Sequence, residues 1–152
     1  MKNQKKGFTL IELLVVIAII GLLATLSILA LNQARARARD AKRIADVRQM
    51  QTALELYYNE VGDYPATGGV VTGSPIKAAT SGNVYLAAVP APPTPVDGTT
   101  CPGLQPDYSY VKTGTGVGGT ASYTIQYCLG ATINDVTGDT LQTASPAGIK
   151  LP

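Results

Sequence analysis

The chain of 152 residues contains no His and no Trp, a single Phe and only two Cys. Without His, a Ser-His-Asp catalytic relay cannot be built. A zinc site would have to take most of its ligands from carboxylates. Charged residues make up only 14% of the chain. These shortages argue against an enzyme, and we do not expect one.

The charge balance is also unlike that of a general nucleic-acid-binding protein. The chain has 12 basic and 10 acidic residues, for a formal net charge of +2. Loss of Lys2, Lys5 and Lys6 with a leader would leave nine basic residues against the ten acidic ones. A near-neutral chain lacks the surplus of cations that neutralises a phosphate backbone, so we do not expect nucleic acid as its partner.

The most conspicuous stretch runs from Leu13 to Leu31, where no residue is charged and the only polar side chains are Thr25 and Ser27. As a helix it would measure roughly 28 Å, about the thickness of a hydrocarbon core. A helix that is apolar on every face is expected to lie in a membrane or to be buried. The lysines that precede it are expected to stay on the cytoplasmic side.

Glu12 is a carboxylate at the edge of this apolar run. A charge inside a membrane costs several kcal/mol unless it finds a partner, so this residue indicates more than a simple anchor. It lies within the stretch from Lys5 to Glu12, KKGFTLIE, which resembles the processing site of type IV pilins and type II secretion pseudopilins.

The resemblance implies a specific processing and assembly chemistry. A prepilin peptidase would cut between Gly7 and Phe8, and Phe8 would become N-methylated. During assembly, Glu12 would pair with the amino-terminal cation on Phe8 of a neighbouring subunit. A buried pair of this kind fixes register more reliably than it adds stability.

Two other interpretations of the amino terminus are a secretory signal peptide and a permanent anchor. A secretory signal peptide also starts with a basic leader and an apolar stretch, but its apolar region spans 7–15 residues and ends at a small-residue cleavage site. The run here is longer and has no such site behind it. The second is a permanent single-pass anchor, in which Glu12 would extend toward the lipid headgroups.

The helix is expected to continue through residues 32–59, which contain no Pro or Gly and are rich in good helix formers. Gly62 is the expected stop, with Pro65 just beyond it. Gly21 is the one weak point of the apolar part, and Leu29 stands where many type IVa pilins have a helix-bending proline. The residues at three- and four-residue spacing form an apolar stripe: Val47, Met50, Leu54, Tyr57 and Val61.

A basic cluster lies early in this continuation. With Asp40 and Asp46 interleaved, it is interpreted as a solvated or inter-subunit face. Anionic headgroups are a further expected contact near Arg35. The cluster comprises Arg35, Arg37, Arg39, Lys42 and Arg43.

Beyond the helix we expect a turn at residues 60–65, a loop at 66–82 and a short helix or extended segment at 83–89. Pro90 to Pro95 excludes a helix or a central strand. A terminal hairpin is predicted from the alternating, Tyr-rich segments 108–112 and 122–129. Its inward face should carry Tyr123, Ile125 and Tyr127, packed on the helix stripe, and its outward face Thr124, Gln126 and Cys128.

Cys101 and Cys128 are predicted to form a disulfide, because the expected membrane orientation places both outside the cytoplasm. Closing this loop stabilises a small domain by roughly 3.5 kcal/mol in the chain-entropy model. A redox or metal role for the pair is the weaker alternative.

The segment from Asn134 to Asp139 supplies hard oxygen ligands of the type that calcium prefers. Asp135 and Asp139 are therefore weak calcium candidates. The spaced acids and terminal Glu of an EF-hand are missing, so a solvated turn is the favoured interpretation and no cofactor is expected.

These patterns predict an α+β fold with one long helix packed on a small antiparallel sheet, and the resemblance implies that this fold is pilin-like. Its parts are a cleaved leader at 1–7, an apolar helix at 8–31, an amphipathic continuation at 32–61 and a disulfide-stapled domain at 62–152.

The predicted function is that of a structural subunit of a type IV pilus-like filament, made of many copies of the chain. It would lie in the cytoplasmic membrane before assembly and at the cell surface afterwards. The resemblance also implies an assembly ATPase and platform proteins as partners. The alternatives are a pseudopilin of a type II secretion system and, from a different class, a membrane-anchored binding domain that never polymerises.

Overall fold

The computed structural model describes residues 7–95, 108–116, 119–130, 138 and 140–150. The chain divides into two compact units, Met1–Arg35 and Ala36–Pro152. The first contains the apolar part of a long helix. The second contains the rest of that helix and every strand of the described residues.

Helix α1 runs from Leu10 to Val61 without a break. It begins two residues later than the sequence indicated, because Thr9 precedes the first turn as its capping residue. At the other end, Gly62 has a φ of 75°, and its amide donates to the Tyr58 carbonyl at 2.8 Å. A glycine in the left-handed region is a common helix terminator, so the predicted stop is confirmed.

The apolar stripe of α1 in the second unit is confirmed for Val47, Met50 and Leu54, none of which is exposed. It is wrong for Val61, which is 41% exposed. Tyr57 is only partly buried. The spacing of apolar residues shows which side of the helix is buried. It does not show how far along the helix the sheet that covers this side extends. The buried stripe also includes Ile44 and Ala53.

The segment after α1 is tied to strand β3, Ser109–Thr113. The Tyr110 hydroxyl donates to the Pro65 carbonyl at 2.8 Å, and the Lys112 amide donates to the Thr67 hydroxyl at 3.0 Å. The Lys112 ammonium pairs with Asp63 at 2.7 Å and lowers the pKa of that carboxyl. These contacts cover the open edge of β3, where unpaired backbone groups would otherwise be left.

Strands β1, Ile76–Lys77, and β2, Val84–Leu86, form a small antiparallel sheet. The expectation of a loop throughout 66–82 is therefore wrong at β1, which is too short to show an alternating pattern. Of the two options for 83–89, the extended one is correct over β2. Residues 90–95 are neither helix nor strand, as the prolines require.

Strands β3 and β4, Ser122–Leu129, form the predicted antiparallel hairpin, with Tyr110 opposite Ile125 and Lys112 opposite Tyr123. The expectation that this hairpin ends the domain is wrong. Two further strands, β5, Thr140–Ser145, and β6, Gly148–Lys150, complete a four-stranded sheet in the order β3-β4-β5-β6.

The inner face of β4 is confirmed, since Tyr123, Ile125 and Tyr127 are at most 2% exposed. Thr124 and Gln126, on the outer face, are half-buried, whereas Cys128 is buried at 6% exposure. The inner residues belong to one core cluster with the helix stripe. The structure is therefore an α+β fold with one long helix and antiparallel sheets, as the sequence predicted.

Candidate assembly site

The start of α1 is organised by reciprocal hydrogen bonds between Thr9 and Glu12. The Thr9 amide and hydroxyl both donate to Glu12 Oε2, at 2.8 and 2.7 Å. The Glu12 amide donates back to Thr9 Oγ1 at 3.3 Å. This is a capping box, which satisfies amides that have no partner within the helix. Glu12 therefore has a partner within its own chain before any neighbour is present.

The other predicted processing and assembly residues are exposed. Phe8 is 81% exposed, and a Cβ built on Gly7 would meet nothing within 4 Å. While Gly7 is still attached, the Phe8 nitrogen is an amide and carries no charge. The predicted cation would exist only after the peptide bond is cut, so the pair of Glu12 with a neighbour's Phe8 stays a prediction.

The apolar part of α1 presents hydrocarbon in every direction. Its two polar residues satisfy their hydroxyls internally, with Thr25 donating to the Leu22 carbonyl and Ser27 to the Leu23 carbonyl, both at 2.8 Å. Large apolar side chains are exposed along the whole segment, from Phe8 to Leu31. Among the described residues, α1 is the one helix long and apolar enough to cross a membrane, with a mean hydropathy of 2.9 in its most apolar window.

In the second unit, carboxylates of α1 accept hydrogen bonds from tyrosines that pack against it. Tyr108 donates to Asp46 at 2.9 Å. Tyr64 and Tyr123 both donate to Glu55, at 3.1 and 3.3 Å. Tyr85 donates to Glu60. The sequence does not predict these bonds, because it does not show which acids of the helix face the sheet.

Burial shifts the titration of these tyrosines. It is the largest cause of the raised pKa of Tyr108, and the hydrogen bond to Asp46 adds to it. The same order of causes, with Glu60 as acceptor, raises the pKa of Tyr85 to about 12. A tyrosine hydroxyl is already protonated at neutral pH, and the raised pKa extends this to more alkaline pH, where the hydroxyl can still donate to the helix.

Arg43 and Asp40 form an ion pair inside the second unit. Arg43 is 2% exposed and Asp40 is fully buried. The second guanidinium nitrogen donates to the carbonyls of Pro93 and Pro95, at 2.8 and 2.9 Å. Asp40 also accepts from the Gly130 amide at 3.1 Å. The pair thus connects α1 to the proline-rich segment and to the end of β4.

This geometry corrects the interpretation of the basic cluster as one solvated face. Arg35, Arg37 and Lys42 are exposed, but Arg39 is half-buried and Arg43 is internal. Both interleaved acids, Asp40 and Asp46, are buried as well. The sequence did not indicate this burial, because a mixed charge pattern is typical of a solvated helix face. Such a pattern does not show which charges have partners in the protein interior.

No cysteine is free in the part of the chain that the structure describes. Cys128 lies on β4, whereas Cys101 lies outside the described residues, so their pairing stays a prediction.

We expect non-reducing mass spectrometry to find two peptides linked by a disulfide between Cys101 and Cys128. Cys128→Ser should lower the Tm of the full chain, since a native disulfide in a small domain contributes 2–5 kcal/mol. Two free thiols in protein taken from the cell surface would contradict this pairing.

The calcium candidates Asp135 and Asp139 lie outside the described residues. Within the described ranges, no three His, Cys, Asp or Glu side chains come together as a metal site would require. The calcium hypothesis gains no support from this geometry.

The comparisons with known proteins give matches at the amino terminus and beyond it. Residues 2–28 match the family described as the Prokaryotic N-terminal methylation motif. The chain is 40% identical over 80 residues to a fimbrial protein of Neisseria meningitidis serogroup B, a match that covers 51% of this chain and 47% of the relative. It is 46% identical over 55 residues to the type IV major fimbrial protein FimA of Dichelobacter nodosus, covering 36% of this chain and 35% of FimA.

A third relative is matched over more of its length. The chain is 32% identical over 98 residues to the type II secretion system core protein G of Escherichia coli K12, covering 60% of this chain and 68% of that protein. By contrast, the chain spans about half the length of the Neisseria fimbrial protein. The search of solved structures gives no match.

Proposed function

The chain belongs to the family of type IV pilins and type II secretion pseudopilins, and on that premise we propose that it is the structural subunit of a type IV pilus-like filament. One observation supports this proposal most directly. An apolar helix that is exposed on all sides begins with a carboxylate held in a capping box. In a lone anchor the carboxylate can only cap the helix, and it brings a charge to the edge of the apolar run. In a stack of copies it can also set register.

Assembly follows from the chemistry of the amino terminus. A prepilin peptidase cuts between Gly7 and Phe8 and thereby creates an amine at Phe8, which is then N-methylated. Before assembly, the apolar helix anchors the subunit in the cytoplasmic membrane. An assembly ATPase and platform proteins then move it into the filament, where its Phe8 cation meets Glu12 of a neighbouring copy away from water. The chain thus acts as a structural component of a cell-surface filament and not as an enzyme.

The second candidate is a pseudopilin of a type II secretion system. It is favoured by the match to core protein G, which covers more of its relative than the fimbrial matches do.

The first candidate can be tested by shearing filaments from cells and identifying their subunit by mass spectrometry. Long sheared filaments of this chain support a pilus subunit, and loss of protein secretion on deletion supports a pseudopilin. If the chain stays in the membrane, and its deletion changes neither filament formation nor protein secretion, it is the non-polymerising anchored domain.

Processing supplies a direct test with a built-in control. Gly7→Val is expected to accumulate a precursor that keeps residues 1–7, because a branched side chain obstructs the peptidase, whereas Gly7→Ala is partly tolerated. The structure itself leaves open space at Gly7, so any block arises in the enzyme. Gly21→Ala is the matched control, since its Cβ also meets nothing within 4 Å. It should be processed normally, with a helix stabilised by roughly 1 kcal/mol.

Mass spectrometry of membrane protein distinguishes the outcomes. The unchanged chain and Gly21→Ala should begin at an N-methylated Phe8. Mature protein that begins at Met1 or Lys2 would overturn the proposed processing.

A further inference from the structure

The acids of α1 between residues 36 and 59 all face the interior of the second unit. Asp40 and Asp46 are buried, and accept hydrogen bonds from the Gly130 amide and the Tyr108 hydroxyl. Glu55 is half-buried and accepts from Tyr64 and Tyr123. The negative charge of this stretch is therefore withdrawn from its solvent-facing surface.

The cations of the same stretch are distributed differently. Arg37, Lys42 and Arg48 are exposed, Arg39 is half-buried and Arg43 is internal. Arg35, the last residue of the first unit, is exposed too. Between residues 35 and 59, the exposed charges of α1 are thus all positive, although the sequence there mixes acids and bases. The exposed acid Glu60 follows only in the last turn of the helix. An exposed surface of one sign attracts a partner of the other sign.

The position of the first two cations identifies the partner. Arg35 and Arg37 come within about two helical turns of Leu31, the last residue of the exposed apolar run. When that run occupies a bilayer, the first phosphates that these guanidinium groups meet are those of lipid headgroups, because each interfacial layer adds only about 5–7 Å to the hydrocarbon core. Guanidinium is well suited to bind phosphate through paired N–H donors.

We propose that Arg35 and Arg37 bind the headgroups of anionic phospholipids in the leaflet from which α1 emerges. This goes beyond a filament subunit, since it concerns the chain while it is still in the membrane. The contacts fix the depth of α1 and are lost when a subunit leaves the bilayer. Each cation near an anionic surface contributes roughly a fivefold preference for it.

The experiment uses the full chain in nanodiscs that contain a trace of spin-labelled phosphatidylglycerol or, in parallel, spin-labelled phosphatidylcholine. The fraction of labelled lipid with restricted motion measures association with the protein. For the unchanged chain, phosphatidylglycerol should be enriched several-fold over phosphatidylcholine. In Arg35→Gln/Arg37→Gln we expect this enrichment to fall clearly, with the remainder due to the leader lysines Lys2, Lys5 and Lys6 that the full chain keeps.

The matched control is Arg48→Gln/Lys77→Gln, which removes the same charge from two exposed positions. Arg48 lies more than four turns beyond Leu31 and Lys77 lies on β1, so the enrichment should persist. Circular dichroism of all three chains checks that the helix is intact. Raising the salt concentration should weaken the enrichment, because exposed charges are screened.

Two results would overturn the proposal. One is equal loss of enrichment in both double variants, which would show that only net charge matters. The other is no preference in the unchanged chain; if duplex DNA then binds and is released by Arg35→Gln/Arg37→Gln, the partner is nucleic acid. Because no filament is needed, failure here leaves the proposed filament function standing, and failure of filament formation leaves this lipid site untouched.

Discussion

Glu12→Ala is expected to give a stable, processed membrane protein that forms few filaments or none. In a lone subunit the carboxylate has its own partner in Thr9, and its removal costs only the cap, about 0.5–2 kcal/mol. In the proposed filament the Phe8 cation lies away from water, where one unpaired charge costs about 3–5 kcal/mol for each subunit. The cost recurs at every joint, so growth should stop.

The capping box makes a sharper control available. Thr9→Ala removes the hydroxyl that bonds to Glu12 but leaves the carboxylate in place, so it should weaken the start of α1 and still allow filaments. Glu12→Asp should be intermediate, because its shorter side chain reaches less far. Filament counts by electron microscopy, with cleaved protein measured in the same membranes, distinguish these variants.

Two outcomes would contradict the charge argument. If Thr9→Ala stops filaments as completely as Glu12→Ala, then Glu12 acts through the cap and not through a neighbour's cation. Normal filament numbers from Glu12→Ala would show that the carboxylate does not set register, and would favour the monomeric anchor.

Arg43→Met should produce the largest loss of stability in the second unit. The guanidinium is 2% exposed and faces a fully buried Asp40. Methionine fills a similar volume but removes the Arg43 cation from Asp40. It also removes the Arg43 donor from the Pro93 and Pro95 carbonyls. Breaking a buried pair from one side costs about 3–5 kcal/mol, which corresponds to a Tm decrease on the order of 10–20 °C.

Lys42→Met is the matched control, because it removes the same charge from the neighbouring, exposed position. It should change stability by no more than about 0.5 kcal/mol. The double variant Asp40→Asn/Arg43→Met should recover part of the loss, since it removes the uncompensated charge. Near-UV circular dichroism of the full chain in detergent follows these transitions. Equal Tm values for the two single methionine variants would show that the buried pair is not needed.

The parts of the fold that the sequence predicted are those with a strong local signal. The apolar run indicates a helix over its whole length, and Gly62 before Pro65 is a specific stop for a helix. The hairpin of β3 and β4 was found because Tyr and β-branched residues alternate there with a period of two.

The errors arise where local signals are weak or where burial decides. Strand β5 reads TLQTAS, in which Leu141 is 43% exposed while Gln142 is 3% exposed, so its apolar pattern points to the wrong face. The Arg43–Asp40 pair could not be predicted, because a buried ion pair and a solvated one share the same spacing along a helix. For Glu12 the sequence predicted an unusual carboxylate, but the reciprocal bond to Thr9 went unnoticed although Thr followed by Glu three residues later is its signature.

The bonds between the tyrosines and the carboxylates of α1 have an optical consequence. With no Trp and a single Phe in the chain, its ultraviolet emission is dominated by tyrosine. An excited phenol is far more acidic than in its ground state, so a hydrogen-bonded carboxylate takes its proton and quenches it. Tyr64, Tyr108 and Tyr123 should therefore show little fluorescence in the folded chain. Tyr127, whose buried hydroxyl meets no acceptor within the described residues, should remain bright. The chain thus carries its own fluorescent indicator of whether the sheet is docked on the helix, and no label has to be attached.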